Sequence, residues 1–65
     1  MNKPAGPAPH LYRIDDARRT LSMSRTVIYE LIRSGRLRSV KEGRTRLISA
    51  SAIADYVSLL EREAS

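Results

Sequence analysis

Cysteine is absent from this 65-residue chain, and histidine occurs once, as His10 beside a proline-bearing stretch. The first absence excludes disulfides and thiolate metal sites. The second leaves no base held beside a nucleophile and no histidine cluster to ligate a metal. Glycine is scarce, with three copies, and Gly43 alone does not make a phosphate-cradling loop of the GxxxxGK kind. The adjacent carboxylates Asp15 and Asp16 fall at an expected helix start, a solvated position unsuited to acid catalysis. No catalytic residue, metal ligand or cofactor is expected, and the chain reads as a binding module rather than an enzyme. Apolar runs are also missing: none approaches the roughly eighteen residues of a bilayer span, and Met1 to Pro9 lacks the apolar core of a secretory signal. A chain this short makes one domain at most and buries only a small core.

What is present is positive charge, and its position matters more than its amount. Of a net +5, the whole excess lies between Arg25 and Arg46, where seven basic residues meet two acids, Glu30 and Glu42. The rest of the chain holds five basic and five acidic residues and balances to zero. Charge of one sign gathered on one stretch is the footprint of a polyanion-binding face.

Within that stretch, Ser24 to Gly35 carries a start and a stop for one short helix. The Ser24 hydroxyl suits the cap of a first turn whose N–H groups lack partners, and Gly35 suits the left-handed position after the last turn. Val27 or Ile28, then Leu31 and Ile32, supply a stripe at helical spacing, leaving Arg25, Thr26, Tyr29, Glu30 and Arg33 on the other side. A first helix is expected from about Asp15 to Leu21, with Leu11, Tyr12 and Ile14 as apolar anchors at its entry. Ser22-Met23-Ser24 turns the chain between the two helices, with Met23 filling their angle, and two helices joined so tightly are a helix-turn-helix candidate. After Gly35 an extended stretch through Val40, a turn over Lys41 to Arg44 and a returning strand from Thr45 to Ile48 predict a hairpin. Gly43 takes the positive φ of a three-residue loop's last position. A last helix begins near Ser49 or Ser51, with Ile53, Tyr56, Val57 and Leu60 as its apolar stripe and Leu59 either an exposed singleton or part of a weak contact. Asp55, Glu61 and Glu63 make the outer face of that helix unsuited to phosphate. Residues 1–9, with Pro4, Pro7 and Pro9, are expected to form a flexible tail ahead of one domain over 10–65.

Taken together, Tyr12-Arg13-Ile14-Asp15-Asp16-Ala17, the run from Leu21 to Leu37, the basic Gly43-Arg44-Thr45-Arg46 segment and the closing Ile48…Ile53…Tyr56-Val57 pattern resemble the excisionase-type, MerR-like winged helix-turn-helix family. The resemblance covers about residues 11 to 60. It implies a mainly α fold with a small β-hairpin, in which a helix-turn-helix is followed by a basic wing and a C-terminal helix. Four positions depart from the family's usual pattern: Arg13 stands where Thr or Ser caps the first helix, Thr20 where an apolar residue packs, Ser22 where Gly is usual, and Glu42 where the wing is commonly apolar.

The resemblance also implies double-stranded DNA as partner, with the second helix in the major groove and the wing along flanking backbone or minor groove. The expected contacts from the recognition helix are Ser24, Arg25, Thr26, Tyr29 and Arg33. From the wing and its flank they are Arg36, Arg38, Lys41, Arg44, Thr45 and Arg46. Arg25, in the first turn, is positioned to donate to guanine O6 and N7. By family analogy the role is that of a small excisionase, a recombination directionality factor that bends DNA and turns a site-specific integrase toward excision. The expected protein is cytoplasmic and associated with the nucleoid, monomeric in solution and cooperative on DNA. Two other readings compete: a small MerR-like transcriptional regulator, and a basic module for RNA or an acidic protein. Tyr29 is the one aromatic in the basic stretch, which disfavours the base stacking typical of RNA recognition.

Overall fold

The computed structural model describes residues 10–65, so the flexible tail expected over residues 1–9 lies outside it. Strand β1 (Leu11–Arg13) runs directly into helix α1 (Ile14–Leu21), and helix α2 (Arg25–Ser34) follows after a short turn. Strands β2 (Val40–Glu42) and β3 (Thr45–Ser49) form the hairpin, and helix α3 (Ala50–Ala64) comes last. This is a winged helix-turn-helix, mainly helical with a small antiparallel sheet.

The two ends of α2 form as their residues dictate. The Ser24 hydroxyl accepts from the Val27 N–H at 3.2 Å. At the other end Gly35 adopts φ 84°, and its N–H and that of Arg36 reach back to the Ile32 and Leu31 carbonyls. Helix α1 is built less favourably. Arg13 occupies its cap position without a side-chain hydrogen bond to the helix. Ser22 closes it in the left-handed region at φ 58°, with the Ser22 N–H on the Arg19 carbonyl at 3.2 Å and the Met23 N–H on that of Arg18 at 2.8 Å. A side chain in that region costs about 1–2 kcal/mol, which is why glycine is the usual residue there.

Three expectations need correction. Leu11 to Arg13 do more than anchor the first helix: they form a strand that pairs antiparallel with β3, Leu11 opposite Ser49, Tyr12 opposite Ile48 and Arg13 opposite Leu47. The sheet therefore has three strands in the order β1-β3-β2, and its central strand is satisfied on both sides. The hairpin turn is shorter than expected. Glu42 pairs with Thr45, so only Gly43 and Arg44 form the loop, and Gly43 takes its positive φ of 61° at the first loop position rather than the last. With no positive φ at Arg44, this is the pattern of a type II′ turn, whose twist suits a two-residue hairpin. In α3 the stripe is Ala52, Ile53 and Tyr56 with Leu59 and Leu60 packed beside them, whereas Val57 is exposed. Val57 stands four residues after Ile53 and three before Leu60, so the spacing admits it as readily as Tyr56, and only packing decides between them.

Every layer contributes to one core. Ile14 and Ala17 come from α1, Ile28 from α2, Leu37 from the exit loop, Ile48 from β3, and Ala52, Ile53 and Tyr56 from α3. Met23 packs against this cluster from the turn, as the sequence predicts, along with Tyr12, Leu21, Leu31 and Ile32. The Val27–Ile28 alternative resolves to Ile28, which is fully buried while Val27 faces out. Among the described residues no helix is long and apolar enough to cross a membrane.

Candidate nucleic-acid interface

With Ile28 turned into the core, helical geometry sets which residues of α2 are left exposed. Arg25, Tyr29 and Arg33 follow one another at four-residue steps along an exposed ridge, with Thr26 and Glu30 beside it. Ser24 supplies the cap and thereby places Arg25 and Thr26 in the first turn, which contains no acid. Tyr29 is 41% exposed, large for a ring that has a core available to it. Arg33, in the last turn, complements the negative end of the helix.

The hairpin adds a second set of cations. Since cross-strand partners share a face, Lys41 and Arg46 project together on the same side of the sheet as Tyr12 and Ile48. Like charges placed directly opposite one another destabilise a hairpin. Arg46 is partly held by a hydrogen bond from its Nη1 to Ser39 Oγ at 2.9 Å. No ion pair among the described residues neutralises Lys41, and Arg44 extends the charge to the tip of the turn. Thr45 lies on the other face with its partner Glu42.

Three of the seven basic residues in the stretch are answered by acids from outside it. Arg25 Nη1 donates to Asp15 Oδ1 in α1, which also accepts from Arg18 Nε at 3.4 Å. Arg36 forms a two-pronged pair with Glu63 at 2.7 and 3.1 Å, its guanidinium carbon 6.0 Å from the centre of the Tyr56 ring. Arg38 Nη2 donates to Asp55 at 2.6 Å. These contacts shift the acids: the Arg25 hydrogen bond holds Asp15 below its ordinary carboxylate range, and that of Arg36 does the same for Glu63. The Glu63 carboxylate in turn raises Arg36 above its ordinary value. Arg33, Lys41, Arg44 and Arg46 carry no ion pair among the described residues, so the cations of the stretch divide into a tied and a free group.

The sequence alone assigns Asp15 a helix-start role and puts Asp55 and Glu63 on the outer face of the last helix. Their partners lie 10, 17 and 27 residues away, a separation at which no local spacing signals contact. Among the described residues there is no cluster of three or more His, Cys, Asp or Glu placed to hold a metal.

Residues 11–58 match the family model described as a helix-turn-helix domain. The chain is also 40% identical over 50 residues to a "Probable excisionase" of Saccharopolyspora erythraea, an alignment that covers 77% of this chain and 51% of that protein. The chain thus spans about half the length of the curated relative it matches. No solved structure matches it significantly. The capped and glycine-stopped second helix, the tight turn before it and the basic hairpin after it lie within the matched residues, and the chain belongs to the helix-turn-helix domain family, in its excisionase-type winged form.

Proposed function

We propose that the protein binds double-stranded DNA with sequence preference and serves as an excisionase, a recombination directionality factor acting with a site-specific integrase. One observation carries the DNA reading: the exposed Arg25–Tyr29–Arg33 ridge of α2 is accompanied by a hairpin whose directly opposed Lys41 and Arg46 repel each other until an anion lies between or beside them. Arg25 and Thr26 meet base edges in the major groove. Arg33, Lys41 and Arg46 take phosphate, Tyr29 contacts the groove wall, and Arg44 at the wing tip enters the adjacent minor groove or its backbone. Arg36 and Arg38, each already paired with α3, serve the interface chiefly by fixing that helix behind it. Ser24 and Thr45 add hydroxyl groups near the backbone.

The excision role is supported by the likeness to the Saccharopolyspora erythraea relative named as a probable excisionase. Binding is tested by titrating duplex DNA, single-stranded RNA and a control polyanion over a salt series. Four free cations each neutralising one phosphate give a log–log slope of about −3.6 for the duplex. A slope near zero, or equal affinity for the control polyanion, overturns DNA recognition. The role is tested by whether adding the protein switches an integrase from joining to excising paired attachment sites. A protein that binds such sites yet leaves the direction of recombination unchanged is not a directionality factor.

A further inference from the structure

We propose that Asp15 is a specificity-determining positioning residue, which presets the Arg25 guanidinium for a base edge and withholds it from lone phosphates. The inference rests on the DNA-binding reading above. Asp15 lies in the first turn of α1 and Arg25 in the first turn of α2, so one carboxylate bridges the starts of both helices of the motif. Its Oδ1 accepts from Arg25 Nη1 and from Arg18 Nε. The side chains of Arg25 and Asp15 remain 54% and 47% exposed, and ion pairs in such positions contribute little to stability. Asp15 already complements the positive end of α1 without Arg25. The contact therefore has its main consequence for where Arg25 points.

Two physical effects follow. A guanidinium presents its donors in a rigid fork, and Arg25 commits Nη1 to Asp15, which leaves Nη2 and Nε for the two acceptors of a guanine edge. The long side chain is ordered before DNA arrives, so less rotamer entropy is lost on contact. A phosphate meets a different situation. It competes with a carboxylate of the same sign for the same cation, and Asp15 repels the backbone wherever the base edge offers no compensating acceptors. Asp15 thus lowers affinity for arbitrary duplex while raising the ratio between preferred and arbitrary sequence.

The test begins with selection of a preferred duplex from a random pool by the wild-type protein. Affinities for that duplex and a shuffled one are then measured at fixed salt for the wild type, Asp15→Asn, Asp15→Glu, Arg25→Ala and the Asp15→Asn/Arg25→Ala double variant. Far-UV circular dichroism reports folding, and Asp15→Ser, which keeps a helix-start acceptor, replaces Asp15→Asn if the latter does not fold. Asp15→Asn is expected to bind the shuffled duplex more tightly than wild type. Its preferred-to-shuffled ratio falls by roughly fivefold or more, toward that of Arg25→Ala, within the range that one bidentate base contact supplies. Asp15→Glu retains most of the ratio, and adding Asp15→Asn to Arg25→Ala changes nothing further. A folded Asp15→Asn with the wild-type ratio overturns the inference, as does an equal drop in the Arg25→Ala background, where the fold and not Arg25 is being altered. A wild type that binds no duplex overturns the DNA reading itself. An Arg25→Ala that keeps the ratio overturns the role of Asp15 and leaves DNA binding intact.

Discussion

The cations answered by acids and those left unanswered differ in where their partners come from. Arg25, Arg36 and Arg38 each reach an acid on α1 or α3, whereas Arg33, Lys41, Arg44 and Arg46 are free of ion pairs among the described residues. A count along the sequence treats all seven alike and gives a local excess of +5. Folding carries Asp15, Asp55 and Glu63 to three of them and reduces that local excess to +2 (5 − 3). The lesson is that a polyanion meets the charge that folding leaves unpaired, and in this molecule that charge lies on the hairpin and the last turn of α2.

The strongest test of the division is to remove the free group on the hairpin. Lys41→Ala/Arg44→Ala/Arg46→Ala is expected to weaken binding to every duplex and to take about 2.7 off the magnitude of the log–log salt slope, 0.9 per phosphate contact. Fluorescence anisotropy over a salt series measures it. Arg25→Ala comes next: a tied residue whose loss costs about 1–3 kcal/mol of discrimination between preferred and shuffled duplexes, with a much smaller change in slope. Arg36→Ala and Arg38→Ala sharpen the contrast, since each is expected to lower the thermal midpoint slightly and leave the salt slope near that of wild type. A slope loss as large as that of Arg44→Ala would erase the distinction between the groups. The smallest effect is on stability in acid. Asp15 and Glu63 have lowered values in the folded state, so the stabilisation from their pairs is complete above their ordinary range and is lost as pH falls through the lowered values. The thermal midpoint is therefore expected to decline from about pH 5 downward, and less steeply for Asp15→Asn/Glu63→Gln.

The parts legible in the sequence are those whose signals are local. Ser24 and Gly35 bound α2 because a cap and a left-handed stop each act within one turn, and the stripe through Ile28 follows from helical spacing. The place of Met23 in the angle between the two helices is legible for the same reason. Strand β1 was not legible, since Leu11 to Arg13 are too few to show a period and become a strand only by pairing with β3, more than thirty residues later. The length of the turn is not legible, because Leu47 and Ile48 are adjacent apolar residues that leave the register of the returning strand open, and only packing shows that Ile48 is the one turned inward. The pairing of Glu42 with Thr45 leaves only Gly43 and Arg44 between the strands and puts Gly43 at the start of the loop. At the candidate interface, the identity of the basic residues could be read directly. Which of them folding would tie to acids could not, because each partner belongs to another element.

The strand order has a mechanical consequence. Because β3 lies between the hairpin's other strand and the strand that enters α1, the wing cannot swing as an independent arm; tilting its base strains the ladder that ends at Arg13, the residue before α1 begins. Only the short overhang from Lys41 to Arg46 projects beyond that brace. A load on the tip is thus transmitted to the root of α1 and, through Asp15, to Arg25 at the start of α2, so that the spacing between hairpin and second helix behaves as a stiff caliper rather than a hinge.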